Sequence, residues 1–348
     1  MEKYKLKNEI SNEKNQNVFK RIKLTIEQIG EFFNQTSRKK KIENVYLIND
    51  TPSLISFALQ TAFYLPSLIW KLRKINEIKS NRFWYLNRNK EAIEGIIYSL
   101  DTKDPLPLIA FDSGYKRDLF NFSMVGKIIA CLGYRAFSVR SRNELKSAEA
   151  EDYMDAFDFL KTKYQEKELI ENRSAIIGLS GGNIVVYKTC SSQEFVERHN
   201  IKCGISISPF DDLAEQFDYM KNKLKERDIP ENTRRVLSDY DNYVESLGIT
   251  DTSDRYLFTN GSPITYCKDL KVPLLIEHGI MDDIVPVAGS LKIYKTLKQE
   301  NKKAELVLIP GKGIHGDLKK WKENIIETIG LISSIIYAYK FLRKHIGC

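Results

Sequence analysis

From about Asn81 onward the chain alternates short apolar, β-branched runs with amphipathic stretches of helical period. The segments RFWYLNR (82–88) and AIEGIIYSL (92–100) have the composition of strands, and PLPLIAFDSG (105–114) is a proline-bounded apolar run closing on a glycine turn, the pattern of a buried strand. FSMVGKIIACLGY (122–134) then places Val125, Ile128, Ile129 and Leu132 on one helical face, with Gly133 close to the helix end. RAFSVRSR predicts the next strand, AEDYMDAFDFLKTKYQ an amphipathic helix, and SAIIGLSGGNIVVYKTC (174–190) a strand running through a tight turn into a helix. Two later apolar runs, at 274–277 and 305–309, also read as strands. Strand and helix in alternation predict an α/β fold with a mostly parallel, doubly wound sheet and right-handed crossovers. Ligands of such sheets bind at the carboxyl ends of the strands.

Two regions depart from this rhythm. Between about 211 and 262, Leu213, Phe217, Met220 and Leu224 share one helical face and Val236, Tyr240, Val244 and Leu247 another, with Pro230 between them. A helical insert with an apolar underside is expected, placed as a lid would be; the alternative is that these faces pack on the sheet. Before residue 81, Val18, Ile22, Ile26, Ile29 and Phe33 fall at helical spacing, and Thr51 to Trp70 runs for twenty residues without a charge. That length just spans a bilayer, but Gln60, Pro66 and several hydroxyl residues lower its hydrophobicity. Burial against the rest of the protein is the leading reading, ahead of a membrane-touching element. The expected organisation is a helical N-terminal extension (1–80) followed by one α/β domain (81–348) carrying the insert.

Composition refines this picture little. At 348 residues and 42% hydrophobic content the chain can bury a full core. The net charge of +8 is concentrated near the start, where residues 1–90 hold 18 basic against 8 acidic side chains. Without a zinc-finger spacing or RNA-binding signature, nucleic acid is not an expected partner; an anionic membrane surface or an acidic partner protein would account for the charge, and solubility alone comes ahead of either. Five cysteines lack a C-x-x-C pair and are expected as reduced thiols. The first residues are too charged for a secretion signal, so a cytoplasmic protein is expected, with membrane-peripheral attachment through 1–80 as an option.

The chemistry lies in three places. In SAIIGLSGG, Ser180 stands between Gly178 and Gly182, two residues away on either side, at a strand-to-helix turn. Small residues are needed there because a sharp elbow brings strand and helix close together, and the helix N-terminus lets the Gly181 N–H face a developing oxyanion. A serine hydroxyl needs a base. Downstream, VPLLIEHGIMDDIVP carries Asp282 just after a strand, and ELVLIPGKGIHGDL carries His315 in a glycine-rich loop after the next one.

The G-x-S-x-G elbow, the HGxxDxxVP block and the late histidine between glycines together resemble the α/β-hydrolase superfamily. The texture is closest to its dienelactone-hydrolase and prolyl-oligopeptidase-like branch, over about residue 81 to the C-terminus. The resemblance implies Ser180 as nucleophile, His315 as base and Asp282 as the acid that orients it, without metal or organic cofactor. Asp283, Asp211 and Asp212 compete for the acid role. His278 matches a structural histidine of the family, and His199 and His345 lie in charged helical surroundings. Where many relatives read His-Gly-Gly, this chain reads FDSGYKRD, so Gly114 or Tyr115 is expected to supply the second oxyanion N–H beside Gly181. The expected activity is hydrolysis of carboxylic esters or thioesters of a hydrophobic acid. Aminopeptidase or acyltransferase chemistry shares the acyl-enzyme, and a binding protein that retains the fold is the non-enzymatic rival.

Overall fold

The computed structural model describes residues 45–46, 64–114, 123–142, 148–165, 169–246, 251–252, 255–309, 311–315 and 325–347. Nine strands form one sheet in the order β1-β9-β8-β7-β6-β4-β5-β3-β2. They are β1 (Val45–Tyr46), β2 (Lys79–Leu86), β3 (Ala92–Ser99), β4 (Leu106–Asp112), β5 (Arg135–Val139), β6 (Ile170–Leu179), β7 (Ile201–Ile207), β8 (Leu274–Gly279) and β9 (Ala304–Ile309). The hairpin β2–β3 is antiparallel and joins β5 antiparallel, whereas β4 through β9 pair in parallel.

The period of two along each strand sorts the core onto both faces. Leu108, Ala110, Ile176, Leu274 and Ile276 face one cluster; their neighbours Ile109, Phe111, Ala175, Ile177 and Leu275 face the other. The first cluster is covered by α3 (Ala148–Gln165), α4 (Asn183–Ser191), α5 (Gln193–His199) and α9 (Val287–Gln299). The second is covered by α1 (64–72), α2 (Ser123–Cys131) and α10 (Ile325–Ile346). The doubly wound architecture expected from the strand–helix alternation is present.

The insert folds as α6 (Leu213–Leu224), α7 (Glu231–Ser246) and α8 (Arg255–Asn260). Phe217, Met220, Leu237, Val244 and Phe258 pack with Ile284 and Val285 in a separate small core, so these helices sit over the loop after β8 rather than on the sheet. Leu247 lies outside the described residues.

Of the uncharged run Thr51 to Trp70, residues 51–63 lie outside the described residues, as does the amphipathic stretch 17–34. Within α1, Leu68 is buried, and Tyr64 and Leu72 pack against the second core cluster; Ile69 and Trp70 remain more than half exposed. No helix among the described residues is long and apolar enough to cross a membrane. His199 is buried at the end of α5 against the rings of Phe157 and Phe195, with Nε2 3.0 Å from an Asp158 oxygen. The charged neighbours in sequence lie on the outer face of that short helix, while the imidazole points inward.

Candidate active site

Ser180 occupies the turn between β6 and α4 with φ +53°, in the left-handed region that side chains with a Cβ rarely adopt. The surrounding glycines explain how the turn is held. A Cβ on Gly178 would stand 2.7 Å from the Gly182 carbonyl, and one on Gly182 2.5 Å from the Asp112 carbonyl. The buried Asn183 side chain donates to the Ser180 carbonyl at 2.7 Å and to the Ile207 carbonyl at 2.8 Å, tying the elbow to β7. Sequence reasoning passed over Asn183; the only signal was an amide at the first position of the helix after the elbow.

The loop after β4 lies directly on this turn. At Gly114 (φ +77°) a Cβ would be 2.8 Å from the amides of Gly181 and Gly182. The Gly114 N–H itself turns back to Asp112 Oδ1 at 2.7 Å. Tyr115 lies outside the described residues.

Asp282 and His315 meet across two loops that the backbone stitches together. Ile280 N–H donates to the Ile309 carbonyl at 3.0 Å and Met281 N–H to the Gly311 carbonyl at 2.8 Å. Gly279 permits the approach, since a Cβ there would be 2.4 Å from the Lys312 backbone. Asp282 Oδ2 stands 2.6 Å from His315 Nδ1, while Oδ1 accepts the N–H groups of Ile284 and Val285 at 3.0 Å each. Burial on its own raises the Asp282 pKa; the charge of His315 and hydrogen bonds from His278 and His315 outweigh it and hold the carboxyl well below the usual carboxylate range. With its Nδ1–H on the carboxylate, the imidazole keeps its Nε2 lone pair as the basic site.

The competing acids have other partners. Asp283 accepts from Lys312 Nζ at 2.7 Å and from Thr233 Oγ1 of α7 at 3.0 Å. Asp211 pairs with Lys292, and Asp212 caps α6 by accepting from Ala214 N–H and Glu215 N–H. His278 is fully buried, with Nε2 3.0 Å from the Val285 carbonyl and Nδ1 2.6 Å from Ser290 Oγ, which holds the turn that carries Asp282.

Ser180, Gly181 and His315 line one cavity of about 560 Å³. Most of its wall is aliphatic, including Ile128, Leu179, Met220, Val236, Val285 and Ile335; Arg235 and Asp239 of α7 are its charged residues. Among the described residues no group of three or more His, Cys, Asp or Glu side chains is arranged to hold a metal ion.

A strained serine at a β–α elbow, opening with a carboxylate-bound histidine on one apolar cavity, is the site of an α/β-hydrolase fold. The chain belongs to the prolyl oligopeptidase family, whose sequence model matches residues 134–327. Its fold is similar to that of acylaminoacyl peptidase from Pyrococcus horikoshii at 16% identity and a TM-score of 0.60, over 79% of this chain and 43% of that one. It is likewise similar to the esterase Pf2001 of Pyrococcus furiosus, at 19% identity and a TM-score of 0.57 over 79% and 94% of the two chains. A putative dipeptidyl aminopeptidase IV from Bacteroides ovatus matches at 14% identity and a TM-score of 0.53, over 76% and 36%. The chain therefore spans less than half the length of these peptidases and nearly all of the esterase, and identities this low speak for the fold alone. No curated protein matches the sequence.

Proposed function

We propose that this chain is a serine hydrolase of esters or thioesters of hydrophobic acids, with Ser180 as nucleophile, His315 as general base and acid, and Asp282 as orienting carboxylate. The observation that carries the reading is that Ser180 and His315 open on one apolar cavity while Asp282 holds His315 Nδ1 at 2.6 Å. In the proposed reaction Ser180 Oγ adds to the acyl carbon as its proton passes to His315 Nε2. The carbon–oxygen or carbon–sulfur bond to the leaving group then breaks, and the imidazolium returns the proton to the departing alcohol or thiol. A water activated by the same imidazole releases the acid and restores Ser180. The Gly181 N–H at the start of the elbow is one oxyanion donor. Because the Gly114 N–H is engaged by Asp112, Tyr115 is favoured over Gly114 for the second.

Two further readings keep particular support. A peptidase is supported by the family and by the likeness to acylaminoacyl peptidase, since the same acyl-enzyme forms from an amide. The few polar groups on the cavity wall favour an acyl chain over a peptide backbone, which needs hydrogen-bond partners. Attachment to an anionic membrane surface is supported by exposed Ile69 and Trp70 with the Arg73 and Lys74 charges over the Trp70 ring. A fluorophosphonate probe is expected to label the wild-type protein and spare Ser180→Ala; equal labelling of both sinks the assignment. Short acyl esters and aminoacyl amides compared on the same preparation separate esterase from peptidase.

A further inference from the structure

The lining of the cavity falls into two groups of different chemistry on either side of Ser180. On the side of the insert stand Gln216, Arg235 and Asp239 among apolar neighbours. On the other side, a slot runs down the sheet face between α2 and α10, floored by Ile177 and Leu179 of β6. From α2 and the turn after it come Val125, Ile128, Ile129 and Leu132; from α10 come Leu331, Ile335, Ala338 and Leu342. These α10 positions recur at three or four residues, so they form one stripe facing the slot. Both helices begin at the elbow end and run to the opposite edge of the sheet, where Lys344 pairs with Glu305 at the start of β9.

Among the described residues the slot is open at one end and closed at the other. Met124, at the elbow end, is 56% exposed, whereas Leu132 and Leu342, at the far end, are 3% and 1% exposed. The far end is bridged by α1. Lys71 Nζ reaches the Leu132 carbonyl at 3.4 Å and lies over the Tyr339 ring, while Lys340 of α10 lies over the Tyr64 ring of α1. Leu68, buried in the cluster that holds Leu132 and Leu342, sits on the same helix. The one hydroxyl along the α10 stripe, on Ser334, is turned onto the buried Glu277 carboxyl rather than left to solvate the slot.

We propose that this slot is the acyl site and takes an unbranched saturated chain, with α1 as its end wall and the leaving group directed toward Arg235 and Asp239. From Leu331 to Leu342 the α10 stripe is about 16 Å long, and an extended alkyl chain, whose zigzag of ~1.5 Å bonds advances ~1.3 Å per carbon, fills it with about twelve carbons. The inference rests on the acyl-serine reading of Ser180 and adds to it the class and length of the acid. An aliphatic slot without polar contacts discriminates by chain length through desolvation alone, so each added methylene raises kcat/KM about fourfold until the end wall is met.

The test uses the full chain and 4-nitrophenyl esters from two to eighteen carbons. The expected profile climbs to about twelve carbons and falls beyond. Ala338→Trp, which fills the slot midway, moves the maximum several carbons down; Leu342→Ala, which lengthens the slot, moves it up and stands in if the larger side chain prevents folding. A flat profile, or one whose maximum moves with neither variant, overturns the slot while leaving the hydrolase intact. If no ester turns over and the fluorophosphonate probe does not label, the hydrolase reading has failed. The slot is then decided by titrating dodecanoate and butanoate into Ser180→Ala: preference for dodecanoate supports it and equal binding overturns it.

Discussion

Two carboxyls five residues apart with fully buried side chains, Glu277 on β8 and Asp282 in the loop after it, behave in opposite ways. Burial raises the pKa of both. At Asp282 the His315 charge and hydrogen bonds from His278 and His315 reverse the effect and keep the group ionised, and two backbone N–H groups donate to its other oxygen. Glu277 faces the α2–α10 side with one hydroxyl partner, Ser334, and its pKa is pushed up to about 8. Burial sets the penalty on a charge, and the partners decide whether it is overcome. The loop bearing Asp282 is thereby suited to steering a proton, while Glu277 lies behind Ser334 of the cavity wall as an acid that stays neutral below about pH 8.

Removing the Asp282 charge is expected to have the largest effect. Asp282→Asn should lower kcat by about 10⁴-fold with little change in KM, because the imidazole loses both its tautomer control and the stabilisation of its charged form. A loss of less than tenfold would show that another acid serves His315. Glu277→Gln should act on stability instead. The folded protein keeps the Glu277 proton up to about pH 8, whereas in the unfolded chain the group ionises near the ordinary value of 4.5. Folding therefore takes up a proton between these limits, so wild-type stability falls as pH rises through the window, by up to about 1.4 kcal/mol per unit, and the loss is complete above it. Thermal melts of the glutamine variant should lose this slope, and an unchanged slope would assign the proton uptake elsewhere.

The smallest expected effect is at Asp283. Its carboxylate joins Thr233 of the insert to Lys312 of the histidine loop, and Tyr219 of the insert reaches its carbonyl. Asp283→Asn should cost about tenfold in kcat/KM by loosening the loops that place His315, a positioning effect well below that of losing Asp282. Equal losses at the two positions would erase the distinction between orienting acid and loop tether.

The sequence carried most of the frame and the outline of the site, for physical reasons that differ by residue. The elbow, Asp282 and His315 were legible because strain, glycine spacing and strand ends leave local marks. Gly114 and Tyr115 could not be ranked as oxyanion donors, since the hydrogen bond from Gly114 N–H to Asp112 depends on the folded loop. Asn183 as the clamp of the elbow depends on a contact with β7, distant in sequence. The cavity-lining face of α10 was missed: its apolar residues run almost all round, because one side packs on the sheet and another lines the cavity, which blurs the helical period. The insert's apolar faces were legible, but whether they covered the sheet or the cavity was not, because both placements need the same stripe.

The central claim is that Ser180 carries the acyl group. Rapid quenching of the protein during turnover of 4-nitrophenyl dodecanoate, followed by peptide mapping, measures this directly. The account predicts a dodecanoyl ester on Ser180 that appears with the first turnover and is absent from Ser180→Ala. Acyl transfer to another residue, or release of nitrophenol without any acylated peptide, would contradict it.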